Sequence, residues 1–320
     1  MPTESATQSR ESVAWIDRLT GGDRKDVDLL RIQGLTKRYG RAVAVDGVTF
    51  DVQPGEMFGF VGANGAGKTT TMRIIMGILT PDDGHVSWQD RELTHDVRRS
   101  FGYMPEERGL YQKMKVAEQI EYFGRLYGMS AADARRSSNE WIERLGLEER
   151  RNDEVQALSL GNQQRAQLAV ALVHDPPVLV LDEPFSSLDP LAVDELAGAL
   201  AEKSAAGVPI IFSSHQLDLV ERVSDSVGII SAGQVVASGP IGQLRERGRR
   251  LLRVSVRNAA PGWIGSLPGQ VVSSDDGAAL VDPNGTTDQE VLRAAMAAGE
   301  VAHFGWEEPS LTDMFREVVR

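Results

Sequence analysis

Short apolar runs at 43–52, 57–61, 178–181, 209–212 and 227–230 read as strands, and the segments between them carry apolar residues at helical spacing. That alternation predicts an α/β unit on a largely parallel sheet. Between about 116 and 145 the pattern is helical alone. Val116, Ile120, Phe123 and Tyr127 share one face, and Trp141, Ile142 and Leu145 form a second. A helical insertion over about 111–160 is therefore expected inside the α/β unit. Beyond Gly248 the period becomes two: Leu252, Val254 and Val256 alternate with Arg253, Ser255 and Arg257, and another strand is expected at 278–281. Thr287 and Glu290 have capping-box spacing for a helix, with Gly299 placed as its C′ glycine. Ser310 and Asp313 predict a last helix carrying Leu311, Phe315 and Val318. The expected organisation is a polar lead-in over 1–28, a main domain over 29–248 and a small α+β domain over 249–320. Trp15, Ile16 and Leu19 fit one amphipathic turn in the lead-in, and the basic run 245–250 reads as the joint between the domains.

Composition narrows the chemistry. The 320 residues include no cysteine, which excludes disulfides, thiolate metal sites and cysteine nucleophiles. A net charge of −12 argues against a general nucleic-acid binder, so no nucleic acid partner is expected. The longest apolar runs fall far short of the ~20 residues a helix needs to cross a bilayer. The first 28 residues lack the apolar stretch of a secretory signal, so the expectation is a cytoplasmic chain. Work at a membrane would require another chain to supply the spans.

The strongest local signal is Gly62-Ala63-Asn64-Gly65-Ala66-Gly67-Lys68-Thr69, placed between a predicted strand and a helix running to about Met76. This is the phosphate-binding P-loop pattern. Glycines let backbone N–H groups turn inward where side chains would obstruct, and the helix N-terminus adds positive potential. Lys68 reaches terminal phosphates, and the Thr69 hydroxyl can ligate Mg²⁺. Gly62, Asn64, Gly65, Ala66, Gly67, Lys68, Thr69 and Thr70 form the candidate nucleotide-binding set. The apolar run 178–181 then ends in Asp182-Glu183-Pro184, as a buried strand does when it opens into a site. Beside a bound nucleotide, Asp182 suits the Mg²⁺ shell and Glu183 suits polarising the attacking water. A third stretch, Leu158-Ser159-Leu160-Gly161-Asn162-Gln163-Gln164-Arg165, is by itself a serine-capped helix start.

Together these three motifs make residues 29–245 resemble the ABC (ATP-binding cassette) ATPases. The resemblance implies a P-loop NTPase fold of the α/β class with a helical insertion, to which the small C-terminal α+β domain is added. It also implies ATP and Mg²⁺ as ligands. In that family the signature of one subunit closes over ATP held by the P-loop of another, so Ser159 and Gly161 would face a γ-phosphate across a dimer interface. The sequence departs from the usual signature at Leu160, where a glycine is common, and at Asn162, where a glutamine is common. Tyr39 falls where the family stacks an aromatic on adenine, Ser187-Leu188-Asp189 where it couples the two sites, and His215 where a histidine contacts the γ-phosphate. Glu106 stands in place of the family's glutamine. A carboxylate there can still ligate Mg²⁺, although a solvated loop acid or a supporting role behind the metal is equally open.

The implied activity is MgATP hydrolysis, with Lys68, Glu183 and His215 as the candidate catalytic residues and Thr69, Asp182 and Glu106 as the candidate metal ligands. ATP-driven dimerisation would power a separate integral-membrane permease, and the chain would sit at the inner face of the membrane through it. The textures 109–128 and 309–315 resemble export-type members, and a homodimer is favoured over a heterodimer. The alternative is a soluble ABC ATPase driving protein assembly or a nucleic-acid-associated process without a permease. For the C-terminal domain, a bracing extension and a regulatory ligand domain both remain open. His303 is isolated there, and Trp306 reads as a core or edge position.

Overall fold

Leu30, Ile32 and Leu35 are fully buried along β1 (Leu30–Tyr39), which turns at Gly40 and Arg41 into β2 (Ala42–Val52) in the computed structural model. The structure describes residues 29–247, 250–275, 277–308 and 310–313. β3 (Met57–Val61) is buried throughout and leads by residues 62–67 into α1 (Lys68–Ile75). Next come β4 (Asp83–Trp88), β5 (Arg91–Glu92), α2 (His95–Arg98) and β6 (Gly102–Met104). The insertion supplies α3 (Val116–Leu126) and α4 (Ala131–Arg144), and α5 (Leu160–Leu172) follows it. β7 (Leu179–Leu181), α6 (Pro190–Ala205), β8 (Ile210–Ser214) and α7 (Leu217–Val223) precede β9 (Ser226–Ser231), β10 (Gln234–Pro240) and α8 (Ile241–Arg247). Last are β11 (Leu251–Arg257), β12 (Gln270–Asp275), β13 (Ala278–Asp282), α9 (Asp288–Ala298) and β14 (Glu300–Glu307).

Three sheets form among the described residues. The central one runs β10-β9-β3-β8-β7-β6 and is parallel except where β10 joins β9. Strands buried on both faces must be nearly continuous in apolar residues, and β3, β7 and β8 owe their runs to that position. Period two then divides β3. Phe58 and Phe60 face the antiparallel sheet β2-β1-β4-β5, where Phe50 stacks on them at 4.9 and 5.1 Å. Met57 and Val61 belong instead to the core shared with Leu168, Leu196, Ile120 and Trp141. The third sheet, β12-β13-β11-β14, buries Leu252, Val254 and Val256 with Val281, Val291 and Ala295. α9 starts as the sequence predicts. The Thr287 amide donates to Glu290 Oε2 at 2.8 Å, and the Glu290 amide donates to Thr287 Oγ1 at 3.3 Å.

Other expectations change. Gly299 caps α9 with an extended backbone, φ 165°, rather than the left-handed turn of a C′ glycine. A Cβ there would lie 2.8 Å from the Arg257 carbonyl oxygen, so close approach to β11 requires the glycine. The basic joint at 245–250 is helical through Arg247, and the Arg245 Nε donates to Glu221 on α7 at 2.9 Å. On α3, Val116 and Ile120 are buried, whereas Tyr127, the cap beyond the helix end, is 39% exposed and stacks on His174 with centroids 3.6 Å apart. Trp306 lies on the edge strand β14 and His303 is exposed on it. Trp15, Ile16, Leu19, Phe315 and Val318 lie outside the described residues.

The chain returns to the central core near its end. Ser310 accepts from the Asp313 amide at 3.1 Å, Thr312 Oγ1 donates to Asp218 at 3.1 Å, and Leu311 is fully buried in the cluster that holds Leu219, Val220 and Leu244. Leu311→Ala is expected to cost about 2–5 kcal/mol through the cavity it leaves. A lower urea midpoint for the α/β part checks this, and a wild-type midpoint would contradict the docking.

Candidate functional site

Parallel strands present their C-terminal ends on one edge, and that edge gathers the chemistry. β3 ends at Val61 before the P-loop, β7 at Leu181 before Asp182, and β8 at Ser214 before His215. The order β3-β8-β7 sets β8 between the other two. Two glycines of the loop are demanded by space. A Cβ on Gly62 would lie 2.3 Å from the Ile230 carbonyl oxygen, and one on Gly67 would lie 2.5 Å from that of Ala44. Gly67 is also the N-cap of α1, at φ 112°, and no side chain caps the helix. The first N–H groups of α1 are therefore left for an anion. Asn64 and Gly65 are exposed, Ala66 is buried, and Thr70 is half-buried beside Thr69.

Lys68 is buried, and its Nζ donates to the Gly62 carbonyl at 2.8 Å and to that of Ala63 at 3.4 Å. The same nitrogen lies 3.8 Å from Glu183 Oε1. Both Glu183 carboxylate oxygens are 3.1 Å from His215 Nδ1. Burial pushes the Glu183 carboxyl above its ordinary range, and His215 and Lys68 pull it part of the way back. Its backbone is in the left-handed region at φ 53°, a strained state for a non-glycine residue that costs on the order of 1–3 kcal/mol.

Asp182 has no exposed surface. Its Oδ1 accepts from Ser213 Oγ at 2.6 Å, while Ser213 Oγ accepts the Glu183 amide at 2.8 Å. One hydroxyl on β8 thus fixes both acids of the neighbouring strand. Asp182 Oδ2 is buried with no hydrogen-bond partner among the described residues. Glu106, on the loop after β6, brings Oε2 within 3.4 Å of Thr69 Oγ1.

Not every predicted residue joins this group. Ser159 caps α5 by accepting from the Asn162 amide at 3.3 Å, and it is exposed with Leu160 at the helix tip. Among the described residues no hydrogen bond links Ser159 or Gly161 to the P-loop of the same chain. Tyr39 ends β1 with its ring half exposed, and Lys37 Nζ lies 6.0 Å from the ring centroid. Asp189 caps α6, accepting from the Ala192 amide at 2.9 Å.

Two residues that hold Glu183 are not identified by the sequence. Ser213 is not singled out there, although a hydroxyl directly after an apolar run was the available signal. Gln164 is 3% exposed, and its Nε2 donates to the Glu183 and Pro184 carbonyls, each at 2.9 Å. It holds the backbone just after the strained glutamate.

The family described as ABC transporter matches residues 45–186, and the C-terminal domain of DrrA1-3-like ATP-binding proteins matches residues 239–319. The ABC transporter ATP-binding protein YhaQ of Bacillus subtilis (strain 168) is 39% identical over 91% of this chain and 98% of its own. The daunorubicin resistance ATP-binding protein DrrA3 of Streptomyces coeruleorubidus is 30% identical over 89% of this chain and 94% of its own. A solved ATP-binding subunit of an ABC transporter superposes with a TM-score of 0.63 at 34% identity, covering 68% of this chain and 92% of that one.

The raised Glu183 carboxyl has a measurable consequence. The folded protein holds this proton more tightly than the unfolded chain does, so keeping Glu183 charged costs stability as pH rises above the ordinary value of 4.5. Glu183→Gln removes that cost. Its advantage in melting temperature over wild type should grow as pH rises above 4.5 through the raised Glu183 value. A gap that stays constant across this window contradicts the assignment.

Proposed function

Because this chain belongs to the ABC transporter ATP-binding family, whose members are ATPases coupled to transport, we propose that it is the MgATP-hydrolysing subunit of an exporter. The observation that carries the reading is the convergence of Lys68, Asp182, Glu183 and His215 at the ends of three adjacent parallel strands. Lys68 and the N–H groups of residues 65–70 hold the β- and γ-phosphates, and Tyr39 stacks on the adenine. Glu183 orients the attacking water and accepts its proton, for which a carboxyl raised by burial is well matched. His215 braces the γ-phosphate while its ring holds Glu183.

The residues present fit a Mg²⁺ ion. Asp182 Oδ2 is a buried acceptor with no partner among the described residues, and the Thr69 hydroxyl and Glu106 carboxylate face one another 3.4 Å apart. Among the described residues no three His, Cys, Asp or Glu side chains are arranged to hold a metal ion by themselves, so nucleotide phosphates would complete the set, as at other Mg²⁺–nucleotide sites. Thr69, Asp182 and Glu106 would hold the ion, which when bound would neutralise charge developing on the transferred phosphoryl group. The chain's own catalytic contribution is positioning.

Members of this family pair with membrane permeases and dimerise. Ser159 and Gly161 of a second, identical copy close over the nucleotide, since each subunit's own signature stands apart from its own P-loop. No helix among the described residues is long and apolar enough to cross a membrane. The permease therefore supplies the spans and holds the chain at the inner face. It docks in the cleft of about 650 Å³ between α2 and α3, floored by Phe101 and Tyr103 and rimmed by Arg99, Phe123, Leu126 and Tyr127. Tyr111, Tyr122 and Leu126 leave much of their apolar surface exposed on the insertion, as an interface requires. Export is favoured by the DrrA-like C-terminal match and by the relative named for daunorubicin resistance. We assign residues 29–248 to the ATPase domain and 249–320 to an accessory domain.

The test is purification of the tagged chain from its own cells in mild detergent. A multi-span membrane protein is expected at about one permease subunit per ATPase subunit. Recovery with ATPase activity but without any membrane protein would overturn the transport reading.

A further inference from the structure

α5 carries two buried glutamines one turn apart, and each clasps a loop that bears an acid of the candidate site. Gln164 holds the carbonyls of Glu183 and Pro184. Gln167, only 4% exposed, donates from Nε2 to the Pro105 carbonyl at 2.7 Å and to the Glu107 carbonyl at 3.3 Å. These two carbonyls flank Glu106. Only the NH₂ end of an amide can serve two acceptors, so the orientation of the side chain is dictated. Its Oε1 is left buried without a partner among the described residues. A helix that tolerates this on one end of the amide is keeping the group for the other end.

We propose that Gln167 is a positioning residue for Glu106, fixing the loop after β6 to the helix whose tip carries Ser159. Resting on the nucleotide-site reading above, it makes the metal-facing acid of one site and the signature offered to the other move with a single rigid element. Glu106 itself is exposed at the protein surface, and nothing on its own loop holds it as Ser213 holds Asp182. The Arg73 contact to Glu107, at 3.7 Å, steadies the loop from the other side through an exposed carboxylate. The two carbonyl bonds from Gln167 are the buried anchor, and buried hydrogen bonds determine geometry more firmly than exposed ion pairs.

The experiment compares Gln167→Met with wild type, both as full chains. Affinity for a fluorescent ATP analogue is measured by equilibrium titration in EDTA and again in Mg²⁺, together with the melting temperature of the unliganded protein. Loss of a residue that supports a metal ligand typically weakens the metal site by ten- to a hundred-fold. The gain in ATP affinity that Mg²⁺ confers is therefore expected to fall about tenfold with the EDTA affinity unchanged, while the melting temperature falls because the Pro105 and Glu107 carbonyls lose their buried donor. An undiminished Mg²⁺ gain, or a loss equal in EDTA and in Mg²⁺, overturns the proposal. Gln167→Leu, shorter and also without a donor, replaces the first variant if that one does not fold. If wild type itself binds no analogue, or gains nothing from Mg²⁺, the nucleotide-site reading fails and takes this inference with it.

Discussion

Two carboxylates buried side by side at the end of β7 are the constraint around which this protein is organised. Asp182 is fully buried and Glu183 nearly so, and neither position is tolerable without specific support. That support comes from other strands and helices. Ser213 on β8 binds the Asp182 carboxylate and the Glu183 amide, Lys68 of the P-loop lies 3.8 Å from Glu183, and His215 faces both of its oxygens. Gln164 ties down the carbonyl beyond the strained backbone of Glu183. The parallel sheet matters because it lines up the ends of β3, β8 and β7 so that these groups meet. The antiparallel sheet and the insertion matter because they cover the two faces that make such burial possible.

In the proposed function a second copy completes the site so formed. Lys68, Asp182, Glu183 and His215 converge, while Ser159 projects from the tip of α5 with Leu160 exposed beside it. α5 reaches back into the chain through Gln164 and Gln167, so the exposed tip and the buried acids share one rigid element. A nucleotide gripped by the P-loop of one copy and the signature of another would hold two such elements together until the γ-phosphate leaves. In the proposed cycle that would be a two-state device biased by a single bond in the ligand, and the cleft beside α3 would be where its motion reaches a partner.

Much of this was legible before any coordinates. The P-loop, the Asp182-Glu183 pair and the serine cap at Ser159 are local patterns whose physical reasons lie within a few residues. So are the capping box of α9 and the alternation along β11. What escaped is non-local. Ser213, Gln164 and Gln167 look unexceptional in the chain and gain their meaning from partners 30, 19 and 62 residues away. Several strands also escaped. β1 is broken by register shifts, β6 has only three residues, and β12 is exposed along most of its length, so none shows a clean period. Gly299 was read as a turn glycine because sequence records its absent side chain but not the β11 backbone that requires the absence.

The central claim is that Glu183 drives hydrolysis in a site completed by a second copy. It is tested most directly by sedimentation of Glu183→Gln with MgATP, alongside its turnover. The account predicts a dimer that retains intact ATP and turns over about 10²–10⁴-fold more slowly than wild type, the range expected for loss of a general base. Wild-type turnover in the variant, or a monomer that binds ATP without pairing, would contradict it.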